Sequence, residues 1–199
     1  MELRSVNIQH DSMRFRRNLE RIGEVFAYEI SKTLTYSNVT IQSPLGSLDS
    51  VAPEKIVLAN ILRAALPLHQ GLLNYFDSAE SMFISASRLH EKTDDSDVAI
   101  EYIAGPSIDK KTVILADPML ATGQSMLLAR EALFKNGLPK HLHLVSVISS
   151  QYAVDELLER LSGTNFTLWI GAIDPILDEN AYIVPGLGDA GDLAYGLKI

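Results

Sequence analysis

Short, predominantly apolar runs alternate with helix-length amphipathic segments through the second half of this chain, and that alternation leaves few folds open. Residues 113–116 (VILA), 142–148 and 166–170 read as strands. Between them, residues 124–136, closed by Gly137, and residues 152–161, with Val154, Leu157, Leu158 and Leu161 on one side, read as helices. Strands without polar alternation are buried on both faces, and helical connections between them make the sheet parallel, with right-handed crossovers. The expected fold class is therefore α/β, a central parallel sheet flanked by helices. In such sheets ligands sit beyond the carboxyl ends of the strands.

The first half is less regular. Phe15, Leu19, Ile22, Phe26 and Ile30 recur at steps of three and four, which predicts an amphipathic helix over about residues 12–33. Val39-Thr40-Ile41 is strand-like, residues 43–46 are turn-rich, and Ile56-Val57-Leu58 has the look of a buried strand. Residues 66–75 read as a helix that tolerates Pro67 in its first turn, and Met82-Phe83-Ile84 as another strand. Residues 90–97, HEKTDDSD, have nothing to bury and are expected to form a mobile surface loop.

At 199 residues, a single domain over 1–199 is expected. Lys and Arg total 17 against 25 Asp and Glu, a net charge of −8, which removes the electrostatic basis for binding nucleic acid. Without cysteine there are no disulfides, thiolate metal sites or cysteine nucleophiles. No run of apolar residues is long enough to span a membrane and no leader precedes the first helix, so a cytoplasmic protein is expected. None of His10, His69, His90, His141 and His143 has zinc-type spacing, and His141 and His143, at a strand start, read as surface residues.

The strand-end rule singles out Asp117, Pro118, Met119, Leu120, Ala121, Thr122, Gly123, Gln124 and Ser125, between one strand and the helix after it. Main-chain N–H groups of residues 121–125, the hydroxyls of Thr122 and Ser125 and the positive end of the helix dipole converge there on a phosphate-sized anion, with Asp117 able to accept from sugar hydroxyls. The plainer reading of the same residues is a β-α turn in which Thr122 or Ser125 caps the helix. It is neither a P-loop nor a Rossmann turn, because the spaced glycines of both are missing.

The stretch DPMLATGQS closely resembles the phosphoribosyl-diphosphate (PRPP) signature of uracil phosphoribosyltransferases, type I phosphoribosyltransferases in which it usually reads DPMLATGGS. Residues 182–192, YIVPGLGDAGD, resemble that family's uracil-binding segment, and residues 61–66, ILRAAL, its diphosphate loop ILRAGL. The blocks stand in the family's order, and the likeness runs from about Phe15 to the end of the chain. It implies a type I phosphoribosyltransferase-like fold with a small hood built from the chain termini, its C-terminal part at about residues 171–199. It also implies the reaction uracil + PRPP → UMP + diphosphate in pyrimidine salvage.

Residue by residue, the resemblance gives Asp117 to Ser125 the ribose 5-phosphate, Arg63 and Arg88 the diphosphate side of PRPP, and Ile183, Gly188 and Ala190 the uracil through their main chain. Asp189 reaches the PRPP side, and Arg63, Asp117 and Asp189 are the candidate catalytic residues. Mg²⁺ is expected on PRPP's own oxygens, with no direct protein ligand. A homodimer or larger homo-oligomer comes with the resemblance, which leaves GTP binding open.

Four departures from the family pattern stand out. Ala65 replaces a glycine, and a positive φ there would cost about 1 kcal/mol. Gln124 replaces the second glycine of the signature, Leu193 a residue that is often basic, and residues 91–97 carry four carboxylates. These departures leave room for a second reading, a catalytically weak nucleotide- or PRPP-binding sensor, and for a third, a transferase for another base.

Overall fold

The computed structural model describes residues 1–88 and 98–198. Helix α1 (Ser12–Ser31) starts where Asp11 accepts the Arg14 N–H at 3.0 Å, and it buries Phe15, Leu19, Phe26 and Ile30. Burial of each such side chain contributes roughly 1.5–3 kcal/mol. A hairpin follows, β1 (Tyr36–Ser43) antiparallel to β2 (Gly46–Pro53), and then β3 (Ile56–Leu62) and α2 (Leu66–Leu73), with Pro67 in the first turn as expected. Next come β4 (Glu80–Arg88), β5 (Val98–Ala104), β6 (Thr112–Ala116) and β7 (Met119–Leu120). Helix α3 (Gln124–Phe134), β8 (His141–Ser150), α4 (Gln151–Arg160) and β9 (Phe166–Asp174) complete the alternation seen in the sequence. The chain ends in β10 (Ile176–Leu177), β11 (Ile183–Val184) and α5 (Ala190–Tyr195).

The main sheet runs β5-β4-β3-β6-β8, with β7 taking over from β6 beside the far end of β8 and β9 on the other side of β8. Its pairings are parallel except for β4 with β5. The expected parallel sheet is thus present, with one antiparallel strand at its edge. Alternate residues of β3 point to opposite faces. Ile56 and Leu58 meet α1 and α2, while Val57 and Ala59 meet α3 and α4, so two apolar cores cover the two faces. No helix among the described residues is long and apolar enough to cross a membrane.

His143 departs from its surface reading. It is 3% exposed and accepts the Trp169 indole N–H at 3.0 Å, and desolvation together with the neighbouring His141 pushes it down to about 4. The partner comes from β9, 26 residues away, where local spacing gives no hint of it. The sequence HEKTDDSD, read as a mobile loop, lies outside the described residues apart from the flanking strands.

Candidate functional site

The three chemistry-bearing turns emerge at the carboxyl ends of the parallel strands. After β6 the chain passes Asp117 and Pro118, and the Pro118 carbonyl accepts the N–H groups of Val147 and Ile148 at 3.1 Å each. This ties the turn to β8. Ser149 donates to the Leu120 carbonyl at 3.3 Å and Ser150 to that of Ala121 at 2.6 Å, while Ser150 also accepts the Ala153 N–H as the N-cap of α4. Sequence reading gave no role to these serines, since only tertiary pairing reveals that they hold the turn's carbonyls.

The turn closes on Gly123, which has φ +79° and serves as the N-cap of α3. A left-handed backbone of this kind selects glycine. Gly123 offers no side chain, and α3 takes no side-chain cap. Of the two expected caps, Thr122, the residue before the N-cap, does take a helix-start N–H, its Oγ1 accepting from Gln124 at 3.4 Å, whereas the N-cap position itself is Gly123 and not Ser125. The first N–H groups of a helix have no intrahelical acceptor, and α3 begins just beyond the carboxyl end of β7. Gln124 begins the helix itself and carries its Cβ in helical backbone.

Asp117 sits at the mouth of this cradle, partly accessible but closely surrounded by protein. Burial pushes its carboxyl up to about 7; the N–H it accepts from Met119 pulls the other way, and the facing Asp189 carboxylate adds to the rise. The influence of Asp189 on Asp117 means that the third block lies within electrostatic reach of the first.

The second turn follows β3. The Leu62–Arg63 peptide is cis, and Ala65 is the N-cap of α2, fully buried, with φ −78° and ψ −9°. The positive φ that would have penalised Ala65 is absent, so its methyl costs the loop nothing in backbone strain. Arg63 Nη2 reaches Asp192 Oδ1 at 3.4 Å and the Gly196 carbonyl at 3.2 Å. A Cβ built on Gly191 would lie 3.2 Å from Asp189 and 4.0 Å from the Arg63 guanidinium. The diphosphate block and the base block therefore touch.

In the third block Ile183 and Ala190 are buried while Gly188, with φ +90°, and Asp189 are exposed. Asp189 caps α5 by accepting the Asp192 N–H at 2.9 Å. Arg88 is the last residue of β4, paired in the backbone with Val98; its side chain lies outside the described part. The structure thus joins Arg63, Asp117, Asp189 and the two glycine-bearing turns, while leaving the Arg88 guanidinium unplaced.

Comparison with known proteins reaches the same region of fold space. A family model described as uracil phosphoribosyltransferase matches residues 2–196. A uracil phosphoribosyltransferase of Porphyromonas gingivalis is 56% identical over 200 residues, spanning 100% of this chain and 92% of the relative. Among solved structures, a protein of Aquifex aeolicus aligns with a TM-score of 0.86 at 27% identity, covering 96% of this chain and 90% of its own. A hypoxanthine phosphoribosyltransferase of Staphylococcus aureus shares the fold with a TM-score of 0.53 at 18% identity, covering 81% of this chain and 76% of its own.

Proposed function

The chain belongs to the uracil phosphoribosyltransferase family, and from that premise we propose that its three turns divide the work of converting uracil and PRPP to UMP and diphosphate. The reaction displaces diphosphate from the anomeric carbon, and no covalent nucleophile is needed. The protein's tasks are to align the two substrates, exclude water and stabilise charge on the departing group.

In this assignment the main-chain N–H groups of residues 121–125 and the hydroxyls of Thr122 and Ser125 hold the 5-phosphate, with Pro118, Met119 and Leu120 forming the wall that aims them. Asp117 accepts from the ribose hydroxyls. Arg63 meets the diphosphate, a role that suits its planar, permanently charged fork, and Arg88 joins it from the end of β4. Ile183, Gly188 and Ala190 read uracil through main-chain donors and acceptors, and Asp189 faces PRPP.

The substrate brings its own Mg²⁺, held on PRPP oxygens. The proximity of the Asp117 and Asp189 carboxyl groups suits a site that receives a divalent cation with its ligand. Action in the cytoplasm as a homodimer belongs to the same reading.

The observation that carries it is the meeting of Arg63 with Asp192, Gly191 and Asp189, residues separated in sequence by more than half the chain. The helical backbone at Ala65 removes one ground for the sensor reading, because the alanine that replaces glycine needs no positive φ there. Incubation of the protein with labelled uracil, PRPP and Mg²⁺ is expected to yield UMP. Nucleotide binding in a calorimeter without turnover would overturn the catalytic reading in favour of the sensor, and competition by another base would reassign the substrate.

A further inference from the structure

The loop assigned to the base has its main chain gripped from behind by the first residues of the chain. Arg4 forms a two-pronged ion pair with Asp174, Nη1 to Oδ2 at 2.6 Å and Nη2 to Oδ1 at 3.0 Å, and Asp174 is 6% exposed. The same Nη1 donates to the Gly186 carbonyl at 3.2 Å, and the same Oδ2 accepts the Gly186 N–H at 2.9 Å. Both main-chain polar groups of Gly186 are thereby occupied by one ion pair. Gln9, 8% exposed, donates from Nε2 to the Leu187 carbonyl at 2.9 Å. Gly186 is itself at φ +56°, and a Cβ there would stand 2.0 Å from the Ile183 carbonyl oxygen. Three main-chain groups of two adjacent residues, ending one residue before Gly188, are fixed by residues that contribute nothing to the three motif blocks.

Asp174 also lies opposite Ser150 in the β8–β9 ladder, and Ser150 holds the Ala121 carbonyl of the phosphate cradle. The ion pair is therefore anchored to the element that aims the phosphate turn. A base read by peptide groups cannot be accommodated by a change of rotamer, so discrimination depends on where those peptides stand, and a displacement of an ångström forfeits a hydrogen bond.

We propose that Arg4, Asp174 and Gln9 are positioning residues for base recognition, fixing residues 186–187 so that the neighbouring main-chain donors and acceptors of Ile183, Gly188 and Ala190 match uracil and mismatch a base with the opposite pattern, such as cytosine. The inference rests on the assignment of this loop to the base. A two-pronged charged contact is replaced by nothing comparable when the fork is removed.

The test uses the full-length enzyme with Arg4→Gln, Arg4→Lys and Gln9→Leu, and measures KM for uracil, KM for PRPP, kcat and the ratio of uracil to cytosine turnover, with thermal melting alongside. Arg4→Gln is expected to raise the uracil KM about tenfold and lower the uracil-to-cytosine ratio, with the PRPP KM within about twofold of the parent. Arg4→Lys, which keeps the charge without the fork, recovers part of the loss, and Gln9→Leu gives a smaller shift in the same direction.

An unchanged uracil KM in these variants overturns the inference, and so do uracil and PRPP constants that rise in parallel. If Arg4→Gln does not fold, Arg4→Lys and Gln9→Leu decide. Gly188→Val separates this inference from the assignment beneath it. If Gly188→Val leaves the uracil KM unchanged, the base site is misassigned; if it raises that KM while Arg4→Lys and Gln9→Leu do not, the assignment stands and the positioning role is wrong.

Discussion

Replacing Asp117 by Asn should stabilise the folded protein at alkaline pH while weakening its grip on PRPP. In the free enzyme the Asp117 carboxyl is pushed from an ordinary 3.8 to about 7, chiefly because burial disfavours its charged form. Below pH 4 both folded and unfolded chains carry the neutral acid, and it costs nothing. Between about 4 and 7 the folded state holds the proton that the unfolded state has lost, so stability falls as pH rises, and above 7 the full cost of the buried charge is present. At about 1.4 kcal/mol per unit, the fall between pH 5 and pH 8.5 has a ceiling of about 3 kcal/mol, and partial exposure of the side chain reduces it to about 1–2 kcal/mol. Asn stays neutral throughout and keeps an oxygen for the Met119 N–H. Urea unfolding of parent and variant, without PRPP, at both pH values should therefore show the variant's advantage growing by that amount. For a chain of this size the same gain appears as roughly 2–8 °C in Tm. A difference that is independent of pH, or one that shrinks as pH rises, would refute the buried-charge argument.

Ala65→Gly, which restores the family's usual residue, should destabilise the enzyme by about 0.5–1 kcal/mol with no gain in kcat, because Ala65 already has φ −78° and a buried methyl; chemical unfolding and steady-state kinetics measure both. Ser150→Ala removes the cap of α4 and the donor to Ala121, so about 1–2 kcal/mol of stability should be lost together with a several-fold rise in the PRPP KM, read by calorimetry and by rates. Gly123→Ala forces a side chain into φ +79° and should cost about 1 kcal/mol while reducing affinity for PRPP, with melting temperature and ligand titration as readouts.

Elements with a strong apolar signature were legible in the sequence: α1 through its three-and-four spacing, β6 through an unbroken apolar run, and β8 and β9 through runs that are mostly apolar. The hairpin was only half visible. Both strands are mostly exposed and leave no periodic trace; the first was read from the β-branched run Val39-Thr40-Ile41, whereas Gly46–Pro53 carries no such run. The antiparallel edge strand β5 was missed for a related reason, since the charged run before it dominates the local composition. The cradle was legible because its geometry is encoded locally, by a strand, a left-handed glycine and a helix start. Ser149, Ser150, Arg4 and Gln9 were not, since each acts on a carbonyl at least 29 residues distant, and nothing in the neighbourhood of a lone Arg or Gln distinguishes a main-chain clamp from an ordinary surface side chain.

A net charge of −8 makes the molecule a poor general trap for a polyphosphate, and the assignment proposed here shows how a site can work within that field. Of the parts retained in UMP, the base falls to main-chain groups and the 5-phosphate to main-chain N–H groups and two hydroxyls, which add no charge and have little freedom to lose on binding. Among the side chains assigned to the substrates, permanent positive charge is kept for the diphosphate, through Arg63 and Arg88. Arg63 has other acceptors within reach, Asp192 and the Gly196 carbonyl, so loss of diphosphate does not strand an unpaired guanidinium. An arginine with no alternative partner would hold the product by the full cost of leaving its charge unsatisfied. Partner exchange lowers that cost, and α5 is well placed to provide it. Asp192 is bound to Asp189 through its N–H and to the Lys198 N–H through its carboxylate, so the acceptor that takes Arg63 back is built into the same helix whose cap faces PRPP.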